Sequence, residues 1–142
     1  MTSVTLTEGV TSIGSYAFDG CTGLTSITIA DSVTSIGSHA FGSCNGLTVM
    51  TIPKGVTTIG TFAFAHCQAL KSVTIGEQVA TIGISAFSDC KSLTTVEVLG
   101  KGIGSVTDVF KNAPATIYCR PGAHGWGPVW NDRFVRPISE KP

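Results

Sequence analysis

The chain has 142 residues, nine of them basic and nine acidic, so the formal net charge is zero and charged side chains make up only 13% of it. An average protein carries roughly 25%, and what is missing is the basic stripe that would release counterions from nucleic acid or hold an acidic membrane surface. No apolar run approaches the ~20 residues needed to cross a bilayer.

Met1-Thr2-Ser3-Val4-Thr5-Leu6 opens the chain without the basic and apolar regions of a secretory leader. Two origins are open: a trimmed piece of a longer exported protein, or a natural intracellular one. The segment reads as a strand with nothing before it to close the core. Open strand edges and apolar ends recruit partners. The expectation is therefore that the native protein continues upstream, or that the chain self-associates through this end.

From Leu24 the pattern is explicit. Leu24, Ile27 and Ile29 form L-x-x-I-x-I, and around Ile27 apolar and polar residues alternate as in a half-exposed strand. Ala30-Asp31-Ser32 forms a bend. Val33 to Gly37 is a second short extended piece with apolar residues three apart, predicted as an irregular strand on the opposite wall. Gly37 requires either a positive φ or a close approach of the next turn. Ala40-Phe41 and Cys44 follow, and the segment from Gly37 to Cys44 is predicted as one helical or 3₁₀ turn.

The whole unit then returns every 23 residues. Leu47, Met50 and Ile52, then Leu70, Val73 and Ile75, then Leu93, Val96 and Val98 repeat the strand, and Met1, Val4 and Leu6 precede it. Gly14, Gly60 and Gly83 match Gly37; Cys21, Cys67 and Cys90 match Cys44. Phe18, Phe41, Phe64 and Phe87 share one phase and predict a ring ladder with offset or edge contacts. A fixed period of this length means stacked coils, each touching only its neighbours and together forming an extended surface.

The unit I-x-x-x-V-T-x-I-G-x-x-A-F-x-x-C-x-x-L, at Ile29 to Leu47 and again from Ile52 and Ile75, resembles the BspA-like leucine-rich repeats of bacterial surface proteins. The resemblance covers roughly residues 1–110. The asparagine ladder of ordinary leucine-rich repeats would fall at Gly9, Ser32, Gly55 and Gln78 and is absent, as in that subtype. The resemblance implies an α/β solenoid: a right-handed coil with a parallel sheet on its concave face, short helical or 3₁₀ turns and a C-terminal cap. It also implies an exported or surface-bound parent and a role in adhesion to host or matrix proteins.

After Val98 the rhythm decays. Ile103-Gly104-Ser105-Val106 recovers the second strand one residue late, Phe110 returns to phase, and Ala113 replaces the Cys. Ala115 to Cys119 reads as a final strand. The expected division is a solenoid over 1–119, of about five to six turns with the last degenerate, and a capping segment over 120–142. That segment holds four prolines, three glycines and both tryptophans. Gly122 to Trp130 reads as a loop-rich cap, similar to the closing segment of some bacterial members, with Trp126 and Trp130 plugging the coil or, alternatively, serving as ligand-stacking platforms.

The chemistry-bearing residues do not converge. Equivalent side chains in stacked turns sit ~4.8 Å apart, in parallel directions that suit neither a disulfide dihedral nor a tetrahedral zinc site. The cysteines are expected as buried thiols acting as small hydrophobes. His39, His66 and His124 lie at different phases, and Asp19, Asp31, Asp89 and Asp108 are isolated. His66 adjoins Cys67, which occupies a core phase. The expectation is a non-catalytic protein with no cofactor and no metal.

The outward rows of the long strands remain. Thr5, Thr28, Thr51, Thr74 and Glu97 form one; Ser3, Ser26, Val49, Ser72 and Thr95 another; Thr2, Thr25, Thr48, Lys71 and Thr94 line the rim. Thr columns can hydrogen-bond along the stack and merely shield the sheet. As a binding face they point to a protein ligand, met by Thr28, Val49, Thr51, Lys71, Thr74, Thr94 and Glu97. A structural spacer or self-associating module is the alternative, and a glycan- or ice-binding Thr array a remote one. The expected partner is a protein, without nucleic acid or membrane insertion, and the expected location is secreted or cell-surface.

Overall fold

The computed structural model describes all residues except Met1, Ser105, Gly122 and His124. The readings of Met1 as a strand residue, Ser105 in a late second strand, Gly122 in the cap loop and His124 as a histidine out of phase with the others lie outside the described residues. In chain order the strands are β1 (Thr2–Leu6), β2 (Ser12–Ile13), β3 (Leu24–Ile29), β4 (Ser35–Ile36), β5 (Val49–Ile52), β6 (Thr58–Ile59), β7 (Ser72–Ile75), β8 (Thr81–Ile82), β9 (Thr95–Val98), β10 (Thr116–Cys119), β11 (Val129–Trp130) and β12 (Arg133–Pro137).

These strands build a parallel β-solenoid. The 23-residue period sets its register: Met50 pairs with Val73 and Val73 with Val96, while Thr51 pairs with Thr74 and Thr74 with Glu97. Val98 pairs with Cys119 as β10 joins β9. The two-residue strands make a second parallel sheet in the order β2-β4-β6-β8. The long sheet is not continuous. Among the described residues β1 pairs only with β3, and β5 lies beside β3 without a ladder between them.

The apolar phases face inward because alternation leaves them no other side. Val73, Ile75, Val96 and Val98 are buried, as are Ile36, Ile59 and Ile82 from the second sheet. Phe41, Phe64 and Phe87 are fully buried, and the ladder of near-parallel rings from Phe18 through Phe110 has centroid spacings of 5.2, 5.1, 5.0 and 5.7 Å. The first turn is looser: Val4, Leu6, Val10, Phe18 and Cys21 are only partly buried.

The predicted helical turn between the Gly and the Cys is not formed. Gly42 N–H donates to the His39 carbonyl at 3.1 Å and Cys44 N–H to the Phe41 carbonyl at 3.3 Å, but Phe41 and Ser43 donate to Ala63 and Ala65 of the next turn, each at 2.8 Å. Alternate N–H groups thus leave the local chain, whereas a helix needs them all. Left-handed backbone makes the alternation possible. Tyr16, His39, Phe62, Ser85 and Asp108 share one repeat phase at φ 55–62°, and Gly20, Ser43, His66, Asp89 and Asn112 share another at 54–71°. Only a 3₁₀ turn at Ile138–Glu140 is helical among the described residues.

From the second turn onward the repeat glycines Gly37, Gly60 and Gly83 answer to crowding, not to φ. A Cβ on Gly37 would lie 2.6 Å from the Ser15 nitrogen, and one on Gly60 would lie 2.5 Å from that of Ser38.

The end of the coil also departs from expectation. Among the described residues no strand forms at Ile103–Val106. The tail is not all loop: β12 adds to the long sheet parallel to β10, and β11 pairs antiparallel with β12. Trp130 meets Phe110 edge-on at 5.5 Å, and Trp126 meets Trp130 at 5.2 Å. The ring ladder therefore ends on indoles, which change the stacking direction and cover the last benzyl face.

Candidate functional site

The outward rows project from the long sheet as alternation requires. Thr28, Val49, Thr51, Lys71 and Thr94 are exposed; Thr74 and Glu97 are half-buried. Val49 is the outlier, an aliphatic side chain 56% exposed among hydroxyls.

Glu97 is not a free charge. Thr74 Oγ1 donates to its Oε2 at 3.4 Å, and Lys141 Nζ sits 2.9 Å from its Oε1. The partner comes from 44 residues further along the chain, which no periodic signal announces. Register extends the same row through Tyr118 to Arg136. Tyr118 is only 7% exposed, in a strand flanked by β9 and β12 with the 3₁₀ turn beside it. The tail thus covers the last part of the outward face and leaves the earlier strands open.

Beside the open part runs a hollow of about 390 Å³. Thr51 and Thr74 line it from the sheet, and Lys54, Glu77 and Arg120 from the bends. Lys54 lies 3.8 Å from Asp31 and Arg120 lies 3.9 Å from Glu77. Asp31, Lys54 and Glu77 hold equivalent bends 23 residues apart. Their alternating sign along the coil was the signal that could have marked this rim.

The remaining chemistry disperses. Among the described residues no three His, Cys, Asp or Glu side chains converge as a metal site, and no helix is long and apolar enough to cross a membrane. His66 is exposed with Nδ1 3.9 Å from Asp89, while Cys67 is buried and donates to the Phe41 carbonyl at 3.1 Å. That arrangement does not build a nucleophile pair. His39 is half-buried. It stacks between Tyr16 at 4.7 Å and Phe62 at 5.0 Å, and a search for identical residues misses such a mixed column.

The thiol column does more than fill space. Cys44, Cys67 and Cys90 each donate to the Phe carbonyl of the preceding turn, at 3.1, 3.1 and 3.0 Å. Burial, with the neighbouring Cys67 and Cys21 adding to it, pushes the Cys44 thiol from about 9.0 up to about 12. The adjacent Cys90 thiol and burial also push Cys67 upward. Cys21 and Cys119 are half-buried. A thiol reagent is expected to label those two in the folded protein and all five only after denaturation; native labelling of Cys67 would contradict the column. Unfolded thiols ionise near pH 9 while Cys44 in the fold stays protonated to about 12. The unfolded state then binds fewer protons, so stability is full below about pH 9 and falls between there and about 12. Chemical denaturation across that range checks the sign.

A family model for the BspA type leucine rich repeat region matches residues 1–115 in six copies. The chain belongs to the BspA-type leucine-rich repeat family. Among solved structures, a leucine-rich repeat protein from Bacteroides ovatus is 32% identical over 70% of this chain, with a TM-score of 0.65. A leucine rich repeat protein from T. pallidum is 29% identical over 82% of it, with a TM-score of 0.66. The chain spans 25% of the first protein and 60% of the second. No curated protein sequence matches it. In this BspA-type chain the missing asparagine ladder has a visible substitute at one turn: Ser32 Oγ donates to the Val10 carbonyl at 2.8 Å.

Proposed function

We propose that the chain is a non-catalytic protein-interaction and adhesion module of a secreted or surface-exposed bacterial protein, and that a protein ligand binds the open part of the long sheet. The observation that carries this reading is the exposed Thr28–Thr51 row with Val49 and Lys71 beside it, bordered by the charged hollow. Short hydroxyls exchange hydrogen bonds with a partner at little rotamer cost. An exposed Val and a lone Lys supply an apolar contact and a charge. Glu97, held by Lys141, marks the edge of the face.

The test is an array of extracellular-matrix proteins probed with the intact chain and with a Lys71→Glu, Val49→Asp double variant. Surface changes of this kind alter stability by roughly 0.5 kcal/mol or less each. The expected result is binding to at least one matrix protein, weakened about tenfold or more in the variant, which is a loss of about 1.4 kcal/mol. Undiminished binding by the variant would move the site elsewhere. No binding at all would favour the spacer reading.

Self-association through the first turn is a second reading. The half-buried Phe18 favours it, as does the pairing of β1 on one side only among the described residues. Sedimentation that does not change with concentration would count against it.

A further inference from the structure

The second and third turns of the coil are tied together on every wall but one. On the second sheet Ser35 pairs with Thr58 and Ile36 with Ile59. Along the left-handed segment the N–H groups of His39, Phe41 and Ser43 donate to the Thr61, Ala63 and Ala65 carbonyls at 3.0, 2.8 and 2.8 Å. Inside, the Phe41 and Phe64 rings stack at 5.1 Å. On the long-sheet wall, between β3 and β5, there is no ladder among the described residues.

Two repeat phases show what is missing there. Lys71 N–H donates to the Thr48 carbonyl at 2.8 Å, and Thr94 N–H to the Lys71 carbonyl at 3.1 Å. Thr48, one repeat earlier, makes no such bond to Thr25 among the described residues. At the other end of the strands, the N–H groups of Ala30 and Leu99 donate to the Leu6 and Ile75 carbonyls at 3.1 and 3.0 Å. Pro53 holds the same phase and has no N–H to give. The inner side of the wall agrees. Ile27 is only partly buried, whereas Met50, Val73 and Val96 of its phase are no more than 1% exposed. Met50 is the one unbranched side chain in that row, and a flexible thioether fills an irregular gap that a stiff β-branched side chain does not.

We infer that Pro53 sets a seam at which the long-sheet wall opens and closes while the other walls hold, so that Thr28 on one bank moves relative to Val49 and Thr51 on the other. Local opening starts where backbone bonds are few and neighbouring elements are not tied. The next boundary is different, because Val49, Met50, Thr51 and Ile52 pair in full register with Ser72, Val73, Thr74 and Ile75, which fixes the spacing of Thr51 and Thr74. The motion is confined to the middle of the wall. A Cβ on Gly46 would lie 2.8 Å from the Leu24 carbonyl oxygen, and one on Gly55 would run into the Asp31 carbonyl. Lys54 also lies 3.8 Å from Asp31 across the seam. With both ends pinned in this way the seam does not admit an added strand, which takes another ~4.8 Å. A role in fitting a ligand rests on the binding face proposed above; the opening itself does not.

The experiment is amide exchange and relaxation dispersion on the ¹⁵N-labelled intact chain without ligand, so its outcome is separate from that of the matrix-protein array. Thr48 should exchange within about tenfold of its unstructured rate, and Lys71 and Thr94 should be slowed about a hundredfold or more. Microsecond-to-millisecond dispersion should appear at β3 and β5 and be missing from β7 and β9. Pro53→Leu supplies the donor that Leu99 has in the same phase; it should slow exchange at Thr48 about tenfold or more and flatten the dispersion. If Pro53→Leu does not fold, Pro53→Ala carries the comparison. The inference is overturned if Thr48 is as protected as Lys71, if dispersion is missing from β3 and β5 or equally strong in β7 and β9, or if the folded variant leaves Thr48 unprotected.

Discussion

Phe64→Ala is expected to lower the unfolding free energy by about 3–5 kcal/mol, and Phe18→Ala by about 1–2 kcal/mol. The Phe64 ring is fully buried, with Phe41 at 5.1 Å on one face and Phe87 at 5.0 Å on the other. Removing it opens a cavity walled by two rings and the strands of both sheets, and stiff neighbouring turns cannot collapse into it. Phe18 is half-buried and has one stacking partner, Phe41, at 5.2 Å. Its loss removes contacts from one side only, in a turn on which fewer neighbours depend. Urea denaturation of both variants measures the contrast. Equal destabilisation would mean that the turns do not couple to nearest neighbours.

The second large effect is at the repeat glycine. Gly60→Ala places a methyl group 2.5 Å from the Ser38 nitrogen and 2.6 Å from the Gly37 carbonyl carbon. Both are backbone atoms of the adjoining turn, so no side chain can swing away. The coil spacing has to widen locally, and about 3 kcal/mol or more of stability is lost. Gly14 holds the same phase in the first turn, where an added Cβ meets nothing within 4 Å. Gly14→Ala is expected to change stability by less than about 0.5 kcal/mol. Since neither glycine has a positive φ, the contrast isolates turn-to-turn crowding. A similar loss at both positions would assign the glycine to backbone conformation instead.

Much of the candidate sheet face was legible because strand alternation is local. Once Ile27 and Ile29 face inward, Thr28 has to face outward, and the period copies that assignment to Thr51, Thr74 and Glu97. The occupancy of that face was not legible. Lys141 reaches Glu97, and the 3₁₀ turn comes to lie beside β10, through contacts between distant parts of the chain. The Tyr16–His39–Phe62 stack was hidden differently, since three unlike residues occupy one phase.

By itself the amino-acid sequence determined the period, the inward and outward rows and the ring ladder, because each follows from side-chain alternation repeated at a constant interval. Tertiary structure alone decided that the Gly-to-Cys segment is a run of left-handed turns, that the long sheet breaks between β3 and β5, and that β12 joins its far edge. The physical reason is that these features depend on where a backbone N–H finds its acceptor. In stacked coils that acceptor belongs to the neighbouring turn, and no single turn contains the information.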